Sequence, residues 1–99
     1  MKFSGLLREA QHPLFDRKSS LSQREKALDD IDGFSAAHDT AVAEHWFDDD
    51  YYIELDARKA GYVKVNVYDA DGEFAEKTRV FDEYESMDEY IQKLMKNHK

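Results

Sequence analysis

Cysteine is absent from the chain, so it cannot build a disulfide framework, a thiolate nucleophile or a cysteine-ligated metal or cluster site. The same absence fits a reducing compartment, and a cytoplasmic location is expected. One proline and four glycines leave few points at which regular structure must break. No apolar stretch exceeds a few residues. The opening run MKFSGLLREAQHP reaches Arg8 and Glu9 before a signal-peptide core or a spanning segment can form, so a soluble protein is expected. Lysine and arginine are missing altogether from residues 27 to 57, where ten acids fall.

What is present is enough for one modest core. With 99 residues, 41% of them hydrophobic and 13% aromatic, a single folded domain over residues 1–99 is expected despite the charge. The net charge of −8 opposes direct binding to nucleic acid or to an anionic membrane, and a basic protein is the complementary partner. The first 26 residues lean the other way, with six bases against three acids.

Hydrophobic spacing divides the chain into a mainly helical part (1–47), an antiparallel sheet (51–81) and a closing helix (86–97). Phe3, Leu6, Leu7 and Ala10 repeat at helical spacing over 2–11. A second helix over about 21–31 is headed by a capping box, Ser20 with Gln23 or Ser22 with Glu25, and buries Leu21, Ala27, Leu28 and Ile31. The alanine-rich SAAHDTAVAEHWF predicts a third helix, with Val42 and Trp46 on one face and His38 and His45 two turns apart. The period then falls to two. Tyr51, Ile53, Leu55 and Ala57 face one way and Tyr52, Glu54, Asp56 and Arg58 the other. A second strand carries Val63, Val65 and Val67 inward. DADG at 69–72 is a hairpin turn, and a weaker strand over 73–81 has the look of an edge. Ser86 and Glu89 cap a final helix whose stripe is Met87, Tyr90, Ile91, Leu94 and Met95. The expected fold is α+β: N-terminal helices, a three-stranded antiparallel meander and a C-terminal amphipathic helix packed on it.

Enzyme chemistry finds little support in these residues. No serine stands in a glycine-flanked elbow, so no hydrolase triad is legible. Metal-binding helices place ligands three or four residues apart, whereas His38 and His45 are seven apart. With the nearby carboxylates they still define the alternative reading, a small metal-dependent enzyme. Asp69, Asp71 and Glu76 resemble the opening of a calcium loop, but they join two strand-like runs, and a turn accounts for them. No catalytic residue, metal or cofactor is assigned.

The acidic block remains. Asp48, Asp49 and Asp50 are contiguous, Glu54 and Asp56 follow, and Tyr52 lies among them. Such a cluster destabilises the fold unless capping, pairing with Arg8, Arg17, Lys18, Arg24 or Lys26, or a partner offsets it. Carboxylates interleaved with tyrosine can stand in for phosphates and bases on the basic surface of a nucleic-acid-binding protein. The expected function is therefore a non-enzymatic acidic inhibitor of the nucleic-acid-mimic type. Inhibitors of CRISPR or restriction nucleases share this size and charge, as do immunity proteins against toxin nucleases. The expected contact residues are Asp48, Asp49, Asp50, Tyr52, Glu54 and Asp56, with Asp29, Asp30 and Asp32 as a second patch.

Overall fold

A computed structural model describes residues 12–98. The helix expected over 2–11, and with it Arg8, lies outside them. The described chain runs through a 3-10 turn (Pro13–Phe15), helix α1 (Leu21–Asp29), strands β1 (Ser35–Ala36), β2 (Val42–Trp46), β3 (Tyr52–Asp56), β4 (Val63–Tyr68) and β5 (Arg79–Phe81), and helix α2 (Tyr84–Asn97). All five strands form one antiparallel sheet in chain order. The class is α+β as expected, with five strands in place of three.

Helix α1 begins at the first of the two candidate caps. The Gln23 N–H donates to Ser20 Oγ at 3.2 Å and the Ser20 N–H donates to Gln23 Oε1 at 2.8 Å, closing a capping box. Ala27, Leu28 and Ile31 are buried as the spacing required, whereas Leu21 is exposed. Arg24 is also buried, and among the described residues its guanidinium reaches no carboxylate. It donates to the carbonyls of Ala57 (2.7 Å), Ser19 (2.6 Å) and Arg58 (3.1 Å), fastening α1 to the end of β3.

The third expected helix is absent, and residues 35–46 instead form β1, a turn and β2. Asp39 (φ 63°) and Ala41 (φ 52°) adopt left-handed backbone between the strands, which no α-helix accommodates. Alanine favours helix only weakly, and the free edge of β3 overrides that preference by pairing Val42 through Trp46 with Asp56 through Tyr52. Ala41 and Ala43 are completely buried, small side chains beneath the helix layer.

The β2–β3 hairpin explains why three aspartates stand together. Phe47 N–H donates to Tyr51 O (2.8 Å) and Asp50 N–H to Phe47 O (3.1 Å), which leaves a three-residue loop with Asp50 at φ 72°. Such loops close with a left-handed third residue, a conformation that aspartate tolerates. DADG likewise forms a turn: the Asp69 carboxylate accepts from the N–H groups of Asp71 (2.9 Å) and Glu73 (3.0 Å), and Gly72 supplies φ 82°. The last strand is an interrupted edge, with a lone Phe74–Tyr68 bridge before Arg79–Phe81 pairs with Val63–Val65.

Helix α2 starts two residues earlier than expected. Its N-cap is Glu83, which makes no side-chain cap bond, and Ser86 Oγ donates to the Glu83 carboxylate at 2.8 Å. The expected stripe is intact: Met87 and Ile91 are buried, and Tyr90, Leu94 and Met95 pack against the core. Leu14, Leu28, Met87 and Ile91 join Ala43, Ile53, Leu55, Val63 and Val65 in one hydrophobic cluster. Both helices thus cover the same face of the sheet. Among the described residues, no helix is long and apolar enough to cross a membrane.

Candidate protein-interaction face

Strand register sets what the opposite face presents. Tyr52, Glu54 and Asp56 alternate outward along β3, and the antiparallel pairs place three rows of side chains across the sheet. The first row is Trp46, Tyr52 and Tyr68, continued by Phe74 through its bridge to Tyr68. These four rings stack in succession, with centroids 4.1, 4.8 and 4.9 Å apart and interplanar angles of 18°, 23° and 27°. Trp46 is 53% exposed and Phe74 61%, so both ends of the stack are open. Near-parallel stacked rings at this spacing are an attractive arrangement in their own right.

The second row is Glu44, Glu54 and Asn66. Glu44 and Glu54 oppose each other directly across β2 and β3, a like-charge pairing that costs roughly 0.2–1 kcal/mol. Each is tied to the aromatic row by a hydrogen bond: Trp46 Nε1 donates to Glu44 at 3.0 Å, and Tyr68 Oη donates to Glu54 at 3.4 Å. Glu54 also accepts from Asn66 Nδ2 at 2.9 Å, and Thr78 Oγ1 donates to Asn66 Oδ1 at 2.6 Å. Partial burial, with Glu44 and Glu54 adding to it, raises the Tyr52 hydroxyl above its ordinary value; burial followed by Glu54 does the same at Tyr68. Both phenols therefore remain neutral donors. The third row is Val42, Asp56, Lys64 and Val80.

The expected contact residues fall into three places. Tyr52, Glu54 and Asp56 share this face; Asp48, Asp49 and Asp50 form the hairpin turn at its end; Asp29, Asp30 and Asp32 belong to the helix layer on the other side. Asp29 is committed there, accepting the Ala36 N–H at 3.1 Å. The alternative pairing of the acidic block with the early bases is not found among the described residues. Arg24 is turned inward onto carbonyls, and neither Arg17, Lys18 nor Lys26 ion-pairs with an acid among the described residues. Asp49 is held instead by His98 Nε2 at 3.0 Å, a bond that lowers the pKa of its carboxyl, and Asp56 by Arg58 Nη2 at 2.8 Å. Glu44, Glu54, Asp48 and Asp50 face no cation within ion-pair distance among the described residues.

No family model, curated protein or solved structure matches this chain.

Sequence reasoning missed Trp46, Glu44 and Phe74 as members of this face. The signal was there in AVAEHW, where Val42, Glu44 and Trp46 alternate with Ala41, Ala43 and His45 at period two. The two histidines of the alternative metal-site reading do not converge. His45 bonds Gly33 O at 2.6 Å beside Phe34 and Phe47, while His38 is exposed in the β1–β2 turn. His38 instead gathers with Glu25 and Asp39, whose potential ligand atoms lie within 4.8 Å of one another. Those groups are already engaged, His38 with Asp39 at 3.3 Å and Glu25 with the Asp39 N–H.

The Asp56–Arg58 pair makes one pH-dependent contribution testable. Arg58 Nε and Nη2 donate at 3.0 and 2.8 Å, and with the Arg58 N–H they hold the Asp56 carboxyl below its ordinary value. A carboxyl depressed in the folded state stabilises the fold above its unfolded value and loses that contribution as pH falls through the folded value. Between about pH 5 and about pH 2, the urea midpoint of the native protein is expected to fall further than that of Asp56→Asn. Because Arg58 is largely exposed, the difference is small; parallel midpoints would assign the pair no role.

Proposed function

We propose that this protein is a non-enzymatic acidic binding module that occupies the basic, nucleic-acid-binding surface of a partner protein. The observation that supports this most is the sheet face itself, which no described helix covers. Four stacked rings and two directly opposed carboxylates, without a neutralising cation among the described residues, meet a hairpin turn of three aspartates. Stability alone does not call for that combination. Apolar rings in water and like charges face to face each cost free energy, and a cationic surface with apolar patches offsets both.

The experiment compares two double charge reversals of equal net charge against a histone octamer, a basic DNA-binding assembly used as probe. Glu44→Lys with Asp48→Lys changes the face; Asp82→Lys with Glu89→Lys changes exposed positions around α2. The first pair is expected to weaken association about tenfold and flatten its salt dependence, the second less than about twofold. Native protein is also expected to displace duplex DNA from the octamer. Equal losses from the two pairs would reduce the interaction to bulk charge and remove the proposal.

A further inference from the structure

The aromatic stack and the carboxylates beside it discriminate between the two kinds of cation a basic partner can offer. In the stack, the faces of Tyr52 and Tyr68 are covered by their neighbours at 4.1 to 4.9 Å, so only the terminal rings have a free face. Those rings are Trp46 and Phe74, the most exposed of the four. Glu44 is hydrogen-bonded to the Trp46 indole N–H through Oε1, which fixes one carboxylate at the edge of the free indole face. A lysine ammonium is a compact, strongly hydrated point charge and gains little from a flat ring beside a carboxylate. A guanidinium is planar and weakly hydrated, stacks on an aromatic face and pairs bidentately with a carboxylate in its own plane. The protein shows the same preference internally: the Arg79 guanidinium lies 4.7 Å from the Tyr90 ring centroid and 5.3 Å from that of Phe81.

We infer that the sheet face left open by the described residues is an arginine-selective docking surface, taking one partner guanidinium stacked on the free face of Trp46 and ion-paired to Glu44, and a second stacked on Phe74. This rests on the binding-module reading above and deepens it by naming the partner's side-chain chemistry. Charge complementarity decides the occupant. Asp56 is paired with Arg58 and Lys64 stands beside it, but Glu44 and Glu54, the carboxylates next to the rings, have no ion-pair partner among the described residues, so a nucleic-acid strand stacking its bases on the rings would bring its phosphates against carboxylates.

The test titrates the full chain with nona-arginine and nona-lysine peptides, reading heat and the emission of Trp46, the one tryptophan. Nona-arginine is expected to bind roughly tenfold more tightly and to shift Trp46 emission, with nona-lysine leaving the emission unchanged. Trp46→Ser with Phe74→Ser, both at exposed positions, is expected to bring the two affinities within about twofold by calorimetry while nona-lysine binding stays as before. An arginine preference that survives in this variant overturns the inference. Equal affinities for native protein overturn the inference and leave the acidic module standing; no binding of either peptide removes both. Two measurements without peptide address other occupants. Trp46 protected from acrylamide quenching would mean that the chain's own residues cover the face, and emission that changes with protein concentration would mean that a second copy does; either result overturns the inference.

Discussion

Arg24→Ala is expected to destabilise the fold by about 2–4 kcal/mol, a large share of the roughly 5–15 kcal/mol that holds a domain of this size together. Arg24 is 6% exposed, and its guanidinium satisfies three backbone carbonyls from two separate segments, Ser19 before α1 and Ala57 and Arg58 after β3. Alanine removes the buried charge, which alone would help, but it takes the donors from all three carbonyls and leaves a space between helix and sheet. Because a loss of 1 kcal/mol shifts the midpoint of so small a domain by about 4–8 °C, thermal unfolding should move down by roughly 10–25 °C. Arg24→Lys keeps the charge without the planar fork and is expected to fall between the two. Arg24→Met fills the volume with no donor. If it unfolds at the native temperature, packing and not the hydrogen bonds fixes α1 to the sheet.

The elements with strong periodicity are legible in the sequence alone. The Met87–Met95 stripe and the valines of β4 each combine a pattern with its chemical cause and stand where the spacing put them, and of the two capping boxes open to α1 the Ser20–Gln23 one forms. Residues 35–47 carry a helical signal because alanine weighs on local propensity, while the alternation that makes β2 is only five residues long. Its strand form depends on β3 standing beside it, a tertiary fact. Helix α2 begins at Tyr84 and not at Ser86 because Glu83 is extended and ends β5's connection, an effect of chain path that no capping pattern encodes.

For the candidate site, the outward set of β3 followed directly from the two-residue period, but the ladder did not. Tyr52 and Tyr68 become neighbours only through the β3–β4 register, and Phe74 joins them only through a single bridge in an otherwise irregular segment. The charged block was legible as composition and misread as a unit. Its aspartates at 48–50 are a turn, its carboxylates at 44 and 54 a cross-strand pair, and those at 29, 30 and 32 lie with the helices. Contiguity in sequence does not survive a hairpin, which sends neighbouring residues to different faces.

Leu55→Ala is expected to be the most damaging core truncation, at about 3–5 kcal/mol. Leu55 is completely buried at the centre of the sheet, opposite Ala43 and Val65, and Ala43 and Ala57 beside it are themselves fully buried and already minimal. Small neighbours cannot swing in to fill the space, so the cavity term is added to the lost transfer free energy. Ile53→Ala removes as many carbons from the same strand, yet Ile53 lines a shallow opening with Phe47, Tyr51, Leu94 and His98, where side chains and water can readjust. Its cost is expected at the lower end, about 2 kcal/mol. Urea unfolding of the two variants checks the ordering, and equal losses would mean that the small neighbours of Leu55 do collapse. The pair also separates scaffold from surface. Leu55 points away from the ladder but stands between Glu54 and Asp56, so the folded fraction of Leu55→Ala should bind nona-arginine like the native protein, whereas Trp46→Ser with Phe74→Ser should bind it weakly at nearly native stability.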